Sequence, residues 1–78
     1  MLGDFSGVSG FGGVRVVISG KDRLLVEEHR GILAYSDTKL LLRLADGKLS
    51  VSGETLEISE YGERDIVVTG RIKQLEFL

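Results

Sequence analysis

From Val16 onward, apolar and polar residues alternate in short runs instead of recurring every three or four positions. Leu49 and Val51 flank Ser50, Leu56 and Ile58 flank Glu57, and Leu75 and Phe77 flank Glu76. Ile66 and Val68 are spaced in the same way. A period of two sends successive side chains to opposite faces of an extended chain, so each run predicts a strand with one buried and one wet face. "TKLLLRLA", Thr38 to Ala45, is the one place where helix competes. Its leucines are good helix formers, but the run is short and ends at Asp46-Gly47. It is read as a strand buried on both faces.

The runs belong to a longer repeat. An apolar-x-apolar run leads to Ser or Thr, then usually Gly, a short polar gap, and a second apolar-x-apolar run. The copies are "VVISGKDRLLV" from Val16, "LAYSDTKLLL" from Leu33, "LSVSGETLEI" from Leu49 and "IVVTGRIKQLEF" from Ile66. Asp37 replaces glycine in the second copy, and Asp also tolerates tight turns. Each "SG" or "TG" pair is a turn signal inside a copy, and "EHRG", "ADGK" and "EYGER" are the turns between copies. Gly31, Gly47 and Gly62 can supply the positive φ that such turns need.

These signals predict an all-β single domain of about eight short, mainly antiparallel strands. If each copy is a hairpin, the hairpins form a two-layered sandwich or curled roll. If each copy is one coil, four of them stack as a β-solenoid. The even spacing favours coils. The small number of copies and the lack of capping repeats favour the sandwich, which is the architecture expected.

Composition narrows the picture. At 78 residues the chain is one small domain, with a core too small for much stability on its own. Cysteine is absent, which excludes disulfides, thiolate metal sites and a thiol nucleophile. Five of the 11 glycines lie in the first 13 residues. Residues 1–13 are therefore expected to be a flexible glycine-rich segment and residues 14–78 the folded domain. "GVSGFGG" is not a phosphate loop, because no strand precedes it, no helix follows it and it lacks the Lys-Ser/Thr end. The net charge of −2 gives no reason to expect nucleic-acid binding. No apolar run approaches the ~20 residues of a membrane span, and the opening "MLGDFSGVSGFGG" has neither the basic start nor the continuous apolar stretch expected of a signal peptide. The chain reads as soluble and intracellular, reaching a membrane only through a partner.

Candidate chemistry centres on "VEEHRGILAYS", Val26 to Ser36, which holds the only histidine. His29 has no second histidine or cysteine to share a metal, and no nucleophile beside it in sequence. It is read as a strand-end residue that bonds backbone or pairs with Glu27 or Glu28. Adjacent on a strand, those two glutamates point to opposite faces and cannot form a facing carboxylate pair. Ser19, Ser36, Ser52 and Thr69 hold the same place in every copy, which suits hydroxyls that bond local backbone at turns better than four nucleophiles. Glu54, Glu57, Glu60 and Glu63 read as a solvated face. Tyr35, Tyr61 and Phe77 read as core or core-edge aromatics. Arg30 and Arg71 could hold an anion or simply pair with nearby acids. No catalytic set, cofactor site or metal site is expected. The candidate interaction turn is Glu28, His29, Arg30 and Gly31, with Tyr35.

Three segments carry a family resemblance: "LLVEEHRGILAYS" (Leu24 to Ser36), "GKLSVSGETLEI" (Gly47 to Ile58) and "IVVTGRIKQLEFL" (Ile66 to Leu78). In this order and spacing, over about residues 14 to 78, they resemble the YabP/YqfC family of sporulation proteins, the YqfC type most of all. Glu28 stands where that type has Asn. The glycine-rich start replaces a longer leader, which implies that an N-terminal docking segment is missing. The resemblance implies a non-enzymatic protein of the mother cell of a sporulating bacterium. Its cytoplasmic location would include recruitment to the forespore envelope. Its implied work is assembly of spore cortex or coat through a protein partner, a membrane protein of the same pathway among the candidates. Exposed sheet edges without proline would provide the contacts, either with such a partner or in a homo-oligomer. The alternative is a small module that uses the His29 turn to bind an anionic or sugar-like ligand such as a cell-wall fragment.

Overall fold

The computed structural model describes residues 5–9 (backbone only), 14–20 and 22–78. The chain is all-β. Seven strands run in order: β1 (Phe5–Ser9), β2 (Arg15–Ser19), β3 (Arg23–Glu27), β4 (Ile32–Tyr35), β5 (Lys39–Leu44), β6 (Gly47–Tyr61) and β7 (Asp65–Phe77). They form one sheet in the order β1-β2-β3-β7-β6-β5-β4, and every neighbouring pair is antiparallel. Stacked solenoid coils would pair in parallel, so the solenoid is excluded.

The four repeats do not share one structure. The first is the hairpin β2–β3 and the second is the hairpin β4–β5. The third and fourth were expected to be hairpins too, but each is a single long bent strand, β6 of 15 residues and β7 of 13. Among the described residues there are therefore seven strands, in line with the expected count, and two are long. β6 and β7 pair along their whole length, with register shifts at Ser52/Gly53, Glu54/Glu57 and Ile58/Glu60. Such irregularities bend a ribbon sharply.

Backbone meets backbone at this crease. A Cβ on Gly53 would overlap the Arg71 carbonyl oxygen, and a Cβ on Gly70 would overlap the Thr55 carbonyl oxygen. Both positions therefore require glycine. The two hairpin turns then satisfy amides that the bend frees. Gly53 N–H donates to Thr38 O (3.0 Å), Leu56 N–H to Asp37 O (2.8 Å) and Gly70 N–H to Asp22 O (3.2 Å). The repeated Ser/Thr-Gly/Asp positions thus converge on one region, two as turns and two as the fold they cap.

Bending lets a single sheet close over itself. One layer holds β1, β2, β3, the first half of β7 and the second half of β6. The other holds the first half of β6, the second half of β7, β5 and β4. Register lines up inward rows: Val16–Val26–Ile66 and Ile18–Leu24–Val68–Ile58 in the first layer, Leu40–Val51–Leu75 and Leu42–Leu49–Phe77 in the second. Val16, Leu24, Val26, Leu40, Leu42, Leu49, Val51, Ile66 and Val68 belong to one core cluster, sealed from solvent. Each such side chain contributes about 1.5–3 kcal/mol by leaving water.

β5 corrects a second expectation. Leu40, Leu42 and Leu44 are buried, but Leu41 is half-buried and Arg43 is exposed. The strand buries one face and not both. Within the segment expected to be flexible, the backbone of Phe5–Ser9 forms β1 against β2. Residues 1–4 and 10–13 of that segment lie outside the described residues.

Candidate functional site

The connection from β3 to β4 passes between the layers at one end of the sheet, and the candidate turn occupies it. Glu28 adopts a left-handed conformation (φ 70°), unusual for a residue with a side chain. That kink turns two successive amides the same way: Glu28 N–H and His29 N–H both donate to Arg64 O, at 2.7 and 3.0 Å. On the other side, Arg30 N–H donates to Arg43 O (2.7 Å) and Arg43 N–H to Gly31 O (2.8 Å). The turn is thus stapled to the β6–β7 turn and to β5 at once.

This stapling drives His29 inward, where it is 1% exposed. Its Nδ1 accepts the Gly31 N–H at 3.0 Å, so the neutral ring carries its proton on Nε2. Nε2 is buried and has no hydrogen-bond partner among the described residues. The ring lies against Tyr61, centroids 5.6 Å apart and planes tilted by 37°. As expected from sequence, His29 bonds backbone at a turn, and it pairs with neither Glu27 nor Glu28. Glu27 instead meets Arg15 (2.9 Å), and Glu28 meets Arg64 at a long 3.4 Å.

A cavity of about 370 Å³ opens here, lined by Glu28, His29, Arg30, Gly31, Tyr61, Glu63 and Arg64. Four of the five candidate residues are therefore gathered in one place. Tyr35 is not among them. Its side chain reaches across to donate its hydroxyl to Leu56 O at 2.9 Å. Sequence reasoning missed Tyr61, Glu63 and Arg64. They lie in "EYGER", which was recognised only as a turn, and nothing local announces that it packs against a turn more than thirty residues earlier. Of the two readings of the aromatics, core or core edge, the second holds: Tyr35, Tyr61 and Phe77 are 47%, 59% and 38% exposed, so they rim the core without entering it.

The other candidates separate. Ser36 accepts from the Lys39 amide (3.1 Å) and the Thr38 amide (3.3 Å), as a turn hydroxyl should. Ser52 and Thr69, expected at turns, sit inside continuous strands instead. Glu54, Glu57, Glu60 and Glu63 are all exposed. The Lys73 ammonium, 2.9 Å from Glu54, holds that carboxyl below its usual pKa through a hydrogen bond and its charge, with Arg71 adding to the effect. Among the described residues, no three His, Asp or Glu side chains group as a metal site, and no helix is long and apolar enough to cross a membrane.

Fold and site together define a small antiparallel β domain, bent over itself, with a polar turn pocket at one end. The chain belongs to the YabP family, whose model matches residues 12–78. It is similar to the uncharacterized protein YqfC of Bacillus subtilis (strain 168), with 27% identity over 64 residues, covering 82% of this chain and 69% of that protein. No solved structure matches. Membership suggests a sporulation-related protein.

Proposed function

We propose that this chain is a non-enzymatic sporulation protein that assists assembly of the spore envelope, cortex or coat, by docking other proteins. Its partner would be a protein of the same pathway, a membrane protein included, or another copy of itself. It would work in the mother-cell cytoplasm and be recruited to the forespore envelope. Family membership supports the setting. The observation that carries the docking mechanism is the edge strand β4.

Among the described residues, β4 is the last strand of the sheet and pairs on one side only, with β5. Its sequence, Ile-Leu-Ala-Tyr, holds no charge and no proline, two devices by which edge strands commonly discourage partners. Leu33 and Tyr35 are 42% and 47% exposed. An extended segment added there would gain backbone hydrogen bonds and apolar contact together.

Deleting the gene in a spore-former and imaging cortex and coat by electron microscopy tests the role. Complementation with a Leu33→Lys variant tests the edge. The proposal expects a defective envelope on deletion and failed rescue by the folded variant. Intact envelopes after deletion would refute the role. Full rescue by Leu33→Lys would refute docking through β4.

A further inference from the structure

We infer that the cavity between the 28–31 and 61–64 turns is a receptor for a single carboxylate, an aspartate or glutamate side chain presented by a partner protein. This rests on the docking reading and adds to it a second point of contact, at the end of the sheet.

Three donors line the cavity. The first belongs to His29, whose Nε2–H is covered in the free protein and has no acceptor among the described residues. Leaving such a group unsatisfied is costly, so an acceptor delivered to it regains much of that cost. The second is the exposed Arg30 guanidinium, which has no hydrogen-bond or ion-pair partner among the described residues. The third is Arg64, whose 3.4 Å contact with Glu28 is long and, with the side chains 72% and 45% exposed, weak enough to be displaced. Tyr61 supplies an aromatic wall beside the imidazole.

The acids present set the charge of the ligand. Glu28 and Glu63 line the same cavity and offset the two arginines, leaving no excess positive charge. A phosphate dianion would meet the repulsion of both glutamates while the charge of the two arginines is already offset by them. A monoanion bonded to Arg30 and His29, with Glu28 still near Arg64, meets far less repulsion. Because Nε2 is covered in the free protein, the carboxylate reaches it only after side chains of the cavity wall move aside.

The chain contains one histidine, so its imidazole signals need no assignment. The test titrates ¹⁵N-labelled full-length protein with N-acetyl-aspartate N-methylamide and, in parallel, with its asparagine counterpart, at fixed pH and ionic strength. The expected result is a saturable shift of the His29 Nε2 and Hε2 signals with the aspartyl probe only. Arg30→Gln should keep the wild-type circular dichroism spectrum and weaken that binding about threefold or more. Equal shifts with the asparaginyl probe, no shift with either, or unchanged affinity in Arg30→Gln would each overturn the inference. None of these results touches pairing at β4, and Leu33→Lys should leave the titration as it is.

Discussion

Replacing Gly70 by alanine tests the physical account of the bent sheet. Gly70 has φ +122°, and its added Cβ would overlap the Thr55 carbonyl oxygen and come within 2.9 Å of Leu56 Cα. Two costs follow. Holding a non-glycine residue in that backbone region costs about 1–3 kcal/mol. Forcing a methyl group against main chain that cannot turn away costs about 1–3 kcal/mol more. A chain of this length has a total stability of about 4–12 kcal/mol, so the variant loses a large share of it. With a urea slope of about 1 kcal/mol/M, the midpoint should fall by about 2 M or more. Equilibrium urea unfolding followed by far-ultraviolet circular dichroism reads this directly.

Three companion variants separate the two costs. Gly53→Ala meets the Arg71 carbonyl and Leu56 Cδ2 (3.1 Å) without a positive φ, so it reports overlap alone. Gly31→Ala has φ +132° and nothing within 4 Å, so it reports backbone strain alone. Gly62→Ala has no positive φ and a nearest neighbour at 3.6 Å, and it should stay within about 0.5 kcal/mol of wild type. If Gly53→Ala and Gly70→Ala were as harmless as Gly62→Ala, the crease as described would be wrong.

Further outcomes follow from the faces and contacts of single residues. Leu42→Ala should cost about 2–5 kcal/mol in the same urea assay, whereas Leu41→Ala, on the outer face of β5, should cost well under half as much. Tyr35→Phe removes the hydroxyl bonded to Leu56 O and should lower stability by about 1 kcal/mol without altering the spectrum. Glu54 has a folded-state pKa below its unfolded value, so it stabilises the fold above the unfolded pKa, and that contribution disappears as pH falls through the folded pKa. Glu54→Gln or Lys73→Met should flatten stability against pH in the acid range. The effect should be small and salt-sensitive, because the pair is exposed.

How much was legible before the structure depends on whether the cause is local. Alternation is local, and it correctly placed Leu49, Val51, Leu56, Ile66 and Val68 on the inward face. The repeat was also real, but one signal had two meanings. Ser19-Gly20 and Ser36-Asp37 turn the chain back, while Ser52-Gly53 and Thr69-Gly70 let two strands bend together. A copy read by itself cannot distinguish these, because each glycine of the crease is needed by the other strand's carbonyl. The turn site shows the same division. The compact grouping of Glu28, His29, Arg30 and Gly31 follows from adjacency in sequence. The approach of Tyr61, Glu63 and Arg64 depends on how the layers close. Tyr35 was assigned to the wrong neighbours for the same reason: its strand carries the hydroxyl across the fold, away from the turn.

The position of β7 bears on how the protein is made. It lies at the middle of the sheet, between β3 and β6, yet it follows the other six described strands in sequence. During synthesis the ribosome therefore delivers two partial sheets with bare apolar faces before the strand that joins them emerges. Until then the nascent chain exposes adhesive surface and unpaired strand edges, the conditions under which chains aggregate or call on chaperones.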